Sequence, residues 1–334
     1  MKPPLALLLF LNVLFLWQNC LVAEVKRYKA DVCVYGGTAS GVMAAVAAHK
    51  EGSKVILVEP TRSLGGMTGG GINHLDWGKG ETVGGSTYKI LMEGLKDQKR
   101  AHGGHAKHGI GNKQYRERFK KLVKDRGITV IYEHRVGKVQ VGDETFDKPT
   151  RQQPIAIGEK IASKNKNNSI QSIILDYAPV DETGCPIPEP KKRNVIMVSA
   201  KVFIDCSYEG DLLAMSGVRY TWGRESREHY DESLAGVRPS LWIHDIDPYV
   251  EPGNAESGLV PFVQDRKIGP LGSADSLTMG YCFRHEFDMS GKGIPIPEPT
   301  NYDPAEFEVY RRAIRDGVDI FSNRHMRTTL NKFT

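Results

Sequence analysis

The chain has few cysteines, no sustained charge of one sign and no apolar run long enough to cross a bilayer. Five cysteines stand among 334 residues, none in a C-x-x-C pair, so the usual sequence signs of a zinc ribbon or a redox dithiol are missing. Lysine and arginine number 45 against 40 aspartate and glutamate, a net charge of +5 that is spread thinly. With no basic stripe interleaved with aromatics, no nucleic-acid partner is expected. No repeat of fixed period stands out, which argues against a solenoid or propeller. The longest apolar run, Leu5 to Trp17, is broken by Asn12 and is short for a membrane span. With Lys2 before it and Ala23 after it, the run fits a secretory signal peptide over residues 1–23. The mature chain is therefore expected to be secreted or periplasmic, with no stable membrane span after cleavage.

The remainder is ordinary globular material, 40% hydrophobic and 25% charged, enough for one large or two modest domains. Its most informative stretch runs Ala30-Asp-Val-Cys-Val-Tyr-Gly-Gly-Thr-Ala-Ser-Gly41, then Lys54-Val-Ile-Leu-Val-Glu59. An apolar strand enters a glycine turn, a helix of small residues follows (Ala44, Ala45, Ala47, Ala48), and a second apolar strand ends on an acid. This is half of a dinucleotide-binding βαβ unit. Gly36 permits the tight turn and Gly41 lets the helix approach the sheet. Backbone N–H groups from Gly37 through Thr38, Ala39 and Ser40 to Gly41 lie at a helix start, where the dipole favours a pyrophosphate. Glu59 follows Gly36 by 23 residues, the spacing of an acid that accepts hydrogen bonds from an adenosine ribose. The pattern departs from G-x-G-x-x-G at Thr38, which takes the middle glycine's place.

The block after the acid, Pro60-Thr-Arg-Ser-Leu-Gly-Gly-Met-Thr-Gly-Gly-Gly71, resembles the stretch of FAD-dependent oxidoreductases that crosses the FAD diphosphate towards the isoalloxazine ring. Only a backbone without Cβ approaches a flat ring and a phosphate so closely. Pro60, Arg62, Gly65, Gly66, Met67 and Thr68 are candidate cofactor contacts by that resemblance. A distant segment, Val202-Phe-Ile-Asp-Cys-Ser-Tyr-Glu-Gly-Asp-Leu-Leu-Ala-Met-Ser-Gly217, resembles the strand–turn–helix that returns to the sheet in two-domain flavoproteins. It places Asp205, Gly210 and Asp211 beside the flavin; read alone, the two acids are helix caps.

These motifs, with Tyr220-Thr-Trp-Gly-Arg-Glu225, Tyr281-Cys-Phe-Arg284 and Pro297-Glu-Pro-Thr-Asn-Tyr-Asp-Pro304, resemble the secreted FAD-dependent oxidoreductase family, some members of which are called xanthan lyase or putative secreted protein. The resemblance runs in order from about residue 29 to about residue 315. It implies an α/β fold: a Rossmann-like FAD-binding domain with a β-meander insertion and a partial second, cap or substrate domain. It also implies FAD as cofactor, a small organic substrate in which a carbohydrate-derived compound is a candidate, and an external electron acceptor. Members of the family are longer, so this chain is expected to be C-terminally truncated. Two other readings stay open: a non-catalytic remnant that holds FAD weakly or not at all, and a polysaccharide lyase.

The expected domains are residues 24–225 for FAD binding, with a meander and surface insertion at about 142–200, and residues 226–334 for the partial second domain. Helices are expected near 87–99 and over 114–124, and strands over 128–132, 135–141, 170–177 and 194–200. Residues 142–168 read as a surface excursion and 186–193 as a turn-rich linker. Cys33 and Cys206, on strands, are expected to be buried, and a bridge between Cys185 and Cys282 is open to an exported chain. His102, His105 and His108 sit among glycines and are read as a loop rather than a metal site. His74, next to the glycine block, is the candidate proton-handling residue, with a hydrogen-bonded structural histidine as the other reading. Arg284 is the candidate for a substrate carboxylate or the flavin edge, or for an ion pair with Glu286.

Overall fold

The computed structural model describes residues 25–71, 84–86, 90, 112–147, 169–182, 184–218, 220–238, 246–265, 268–277, 285–286, 295, 298, 301–318 and 332–333. After a short strand β1 (Lys26–Lys29), strand β2 (Val32–Tyr35), helix α1 (Ala39–Lys50) and strand β3 (Val55–Glu59) form the expected unit. Both β2 and β3 are buried at every residue, as parallel strands covered on both faces must be. Helix α2 (Asn112–Lys124) leads into β4 (Thr129–Tyr132). Strands β5 (His134–Val141), β6 (Glu144–Phe146), β7 (Ile170–Tyr177) and β8 (Lys192–Ser199) follow, then β9 (Val202–Asp205) and helix α3 (Asp211–Met215).

The strands make two sheets. One is wholly parallel, in the order β4-β3-β2-β9. The other, β1-β8-β7-β5-β6, is an antiparallel meander with β1 added in parallel to β8. Period-two alternation divides the parallel sheet between two cores. Val32, Val34, Val55 and Leu57 face α1 and α2, where Val42, Ala45, Val46, Tyr115, Phe119 and Val123 pack against them. Cys33, Tyr35, Ile56 and Val58 face the meander, against Val139, Ile173, Leu175 and Val198. The result is three layers: helices, parallel sheet, meander.

Several local expectations are corrected. Helix α1 buries Gly41, Val42, Ala45 and Val46; Ala47 is exposed, because one face of a helix carries positions four apart and not every small residue. The excursion beginning at 142 opens with a hairpin strand, β6, paired with β5 from Val139 to Val141. Strand β8 begins two residues earlier than expected, inside the turn-rich linker. Alternation in β5 breaks at a register shift between Val136 and Lys138. A Cβ on Gly137 would lie 2.7 Å from the Asp176 carboxylate, which itself accepts the Asn194 N–H at 2.7 Å.

The chain divides into two units between Tyr220 and Thr221. The second unit contains the short helix α4 (Arg227–Tyr230), helix α5 (Glu308–Arg315) and the antiparallel pair β10 (His285–Glu286) and β11 (Lys332–Phe333). Polar hubs organise it. Arg224 pairs in a fork with Asp275. Arg312 of α5, only 4% exposed, donates to the carbonyls of Asp247, Tyr249 and Val250 at 2.9, 2.5 and 3.1 Å and to the Glu308 carboxylate at 2.9 Å.

Candidate functional site

The carboxyl ends of β2, β3 and β9 carry three turns. The chain leaves β2 for β3 on one side and later returns through β9 on the other, so strand order reverses at β2. Open α/β sheets bind ligands at that position. Hydrogen bonds stitch the turns together. Gly36 N–H donates to Val58 O at 2.8 Å, Gly65 N–H to Gly37 O at 2.8 Å, and Cys206 N–H to Tyr35 O at 2.7 Å.

Glycine is required where backbones touch. Gly36 has φ +91°, and a Cβ there would lie 2.6 Å from the Ser207 nitrogen. A Cβ on Gly37 would lie 2.6 Å from the Leu64 side chain, and one on Gly41 would overlap the Gly36 carbonyl oxygen. Thr38, in the middle glycine's place, is the N-cap of α1. Its hydroxyl accepts the Gly41 N–H at 3.2 Å and donates to Cys206 O at 2.8 Å. Of the amides expected at a pyrophosphate, those of Gly37 and Gly41 already have acceptors within the chain.

Glu59 is 6% exposed. It accepts three hydrogen bonds: from Gly37 N–H at 2.6 Å, Thr61 N–H at 2.7 Å and the Thr61 hydroxyl at 2.5 Å. Burial raises its carboxyl above the ordinary range against the pull of those bonds. A carboxylate has about four acceptor positions, so one is left for a ligand hydroxyl. Thr61 is absent from the sequence candidates, although its place two residues after the acid is the signal. Arg62 donates to Glu133 at 2.8 Å, while Glu133 also accepts the Val180 N–H.

Asp205 is occupied by its own turn. Oδ1 accepts from the N–H and hydroxyl of Ser207 at 2.9 and 2.7 Å, and Oδ2 from the Leu213 N–H at 2.8 Å. Gly210 takes a left-handed conformation, φ +68°, to start α3. Asp211 opens that helix; desolvation first, then the Glu209 and Asp205 charges, raise its carboxyl, while Arg135 and a hydrogen bond with Tyr35 oppose this. Buried Tyr35 accepts the Val136 N–H at 3.2 Å, and burial raises its phenol. Cys33 is buried and its thiol is pushed up to about 12 by burial; Cys206 is only half-buried. Cys33, Cys185 and Cys206 are free thiols.

Pro60, just after β3, and Thr68, in the π-helical turn Met67–Gly71, are half-buried, and Met67 is exposed. Tyr208, inside the returning strand–turn–helix segment but not among its candidate residues, accepts the Met67 N–H at 2.9 Å. His74, Arg284, Cys282, the histidines at 102, 105 and 108, most of the helix expected near 87–99 and residues 1–23 lie outside the described residues, as does most of 142–168. Among the described residues no cluster of three or more His, Cys, Asp or Glu could hold a metal ion, and no helix is long and apolar enough to cross a membrane.

A three-layer fold whose parallel sheet ends in a glycine turn, an acid and a returning strand–turn–helix defines a dinucleotide-binding protein of the Rossmann type. The chain belongs to the FAD dependent oxidoreductase family, whose model matches residues 31–160 and 187–332. FAD is the cofactor of that family. The turns suit it: α1 begins beside them and Glu59 retains an acceptor.

Among solved structures, a geranylgeranyl bacteriochlorophyll reductase-like protein from Thermoplasma acidophilum is 15% identical with a TM-score of 0.33, covering 58% of this chain and 43% of its own. Thioredoxin reductase from T. acidophilum is 14% identical with a TM-score of 0.28, covering 53% and 34%. A 3-ketosteroid dehydrogenase from Rhodococcus jostii is 14% identical with a TM-score of 0.30, covering 56% and 47%. This chain thus spans less than half the length of these three proteins, and the scores are too low to transfer their activities. No curated protein matches the chain by sequence.

Proposed function

We propose that this chain is an exported FAD-dependent oxidoreductase that oxidises a small organic substrate, a carbohydrate-derived compound being one candidate, and passes the electrons to an external acceptor. The observation that carries the redox reading is the match of the FAD dependent oxidoreductase model to residues 31–160 and 187–332; the Gly37–Glu59 hydrogen bond of 2.6 Å locks the first glycine turn to the acid at the reversal of strand order. When bound, FAD supplies a two-electron acceptor that neither the backbone nor any side chain provides. The turn from Gly36 to Gly41 and the start of α1 would hold the pyrophosphate, and Glu59 the adenosine ribose. The backbone from Gly65 to Thr68 would lie along the diphosphate, and the Asp205–Asp211 turn beside the ribityl chain. His74 is assigned proton transfer and Arg284 a substrate carboxylate, both from their sequence contexts. Export rests on the run Leu5 to Trp17 and on Ala23.

The test is a visible absorption spectrum of the purified chain before and after addition of FAD and desalting. A retained flavin band, abolished by Gly41→Glu, is expected because a side chain at Gly41 has no room beside the Gly36 carbonyl. A colourless chain that never retains FAD would overturn the assignment and favour a non-catalytic remnant.

A further inference from the structure

Between the Cys206–Gly210 turn and the glycine block lies one contact that neither the strand pairing nor the hydrophobic core explains. The Tyr208 phenol oxygen accepts the Met67 N–H at 2.9 Å, yet the side chain is 57% exposed. Burial gives it little reason to stay there, so the hydrogen bond and the fit against Gly66 hold it. Gly66 has φ +52°, and a Cβ on it would overlap the phenol oxygen, with Cζ at 3.0 Å. One residue earlier, Gly65 has φ +97°, and a Cβ there would lie 2.7 Å from Cε2 of Phe119, a residue 1% exposed on α2. The Gly65–Gly66 backbone is thus held between a fixed core ring and an exposed phenol.

We propose that Tyr208 is a positioning residue for the cofactor, fixing the Gly65–Met67 backbone in its binding conformation; this rests on the FAD-binding reading above. A segment with glycines at 65, 66 and 69 samples far more conformations than other sequences. Gly65 N–H is tied to Gly37 O at 2.8 Å; without a tether beyond it, ordering Gly66 and Met67 on binding would weaken affinity. Tyr208 makes that ordering a property of the folded chain. Phe119 and the bond to Gly37 O hold Gly65, and Tyr208 extends that hold to Gly66 and Met67.

The experiment uses the full chain as wild type, Tyr208→Phe, Gly66→Ala and the double variant. Tyr208→Phe keeps the ring and removes the acceptor; Gly66→Ala displaces the ring. Amide exchange at Met67 is measured without FAD, and the FAD dissociation constant, the visible band of bound flavin and Tm are measured for each. Tyr208→Phe should exchange Met67 faster and weaken FAD by about fivefold to tenfold, the worth of one hydrogen bond. The flavin band should also change shape, with Tm unmoved. The double variant should be no weaker than the poorer single variant, because both remove the same contact. Equal FAD affinity in wild type and Tyr208→Phe would overturn the inference, as would a loss that follows a fall in Tm. A wild type that takes up no FAD would overturn the proposed function and this inference with it.

Discussion

Replacing Glu59 by glutamine tests the tie between the β2 and β3 turns. Oε1 accepts two hydrogen bonds from Thr61 and Oε2 one from Gly37, whereas an amide has a single oxygen. Turned towards Thr61, that oxygen keeps two bonds and leaves the Gly37 N–H facing an NH₂ group. Orphaning one buried donor costs about 1–3 kcal/mol. At about 2–4 °C of Tm per kcal/mol for a domain of this size, the expected fall is roughly 2–12 °C. The pH dependence gives a sharper check. Because burial raises the folded-state pKa of Glu59, the folded chain keeps a proton that the unfolded chain has lost. Wild-type stability from this group is therefore full below the ordinary carboxylate pKa and declines as pH rises through the raised value. Glutamine does not titrate, so the wild-type advantage should shrink across that window and stay level above it. Thermal and urea denaturation of both chains from about pH 4 to about pH 8 reads this directly. An advantage that grows with pH, or a variant as stable as wild type throughout, would refute the reasoning.

Thr38→Ala removes the cap of α1 and the bond to Cys206 O; it should cost about 1 kcal/mol in denaturant unfolding and weaken FAD retention in the same direction. Arg312→Met removes the donor to three carbonyls and one of two arginine donors to Glu308, which keeps Arg311 at 3.2 Å. It should destabilise the second unit by about 3 kcal/mol, seen as new proteolytic cleavage between residues 246 and 260 with unchanged protection of β2 and β3.

The parallel sheet and its turns are legible in the sequence because buried parallel strands are short apolar runs and because touching backbones demand glycine. Residues 32–35, 55–59 and 202–205 carry that signal, and the 170–177 strand is read to the residue. Strand β1 is not legible: Lys26–Lys29 reads Lys-Arg-Tyr-Lys, is mostly exposed, and gains strand character only from β8, about 170 residues on. Strand β6 has three residues and pairs only as the return arm of a hairpin. The acid at 59 is legible from its spacing. Two of its three internal donors are not, since Gly37 and Thr61 offer backbone N–H groups that every residue type but proline carries; the third, the Thr61 hydroxyl, has its place two residues after the acid as the signal. Tyr208 is hidden for a related reason: its partner is also a backbone amide, 141 residues away.

The same hydrogen bonds that close the carboxyl edge of the sheet shape the proposed cofactor site. The Gly37–Glu59, Thr38–Cys206 and Tyr208–Met67 bonds each tie one turn to another, so a change at Gly37, Thr38 or Glu59 perturbs the stability of the edge and the affinity for FAD together. Tyr208 differs because it is 57% exposed and holds the glycine block through Gly66 and Met67. Its loss costs the core nothing and leaves the ordering of that block to be met on binding. Affinity and stability should therefore fall together for Glu59→Gln and Thr38→Ala and separate for Tyr208→Phe. Such a split distinguishes a residue that builds the edge from one that prepares it for a ligand.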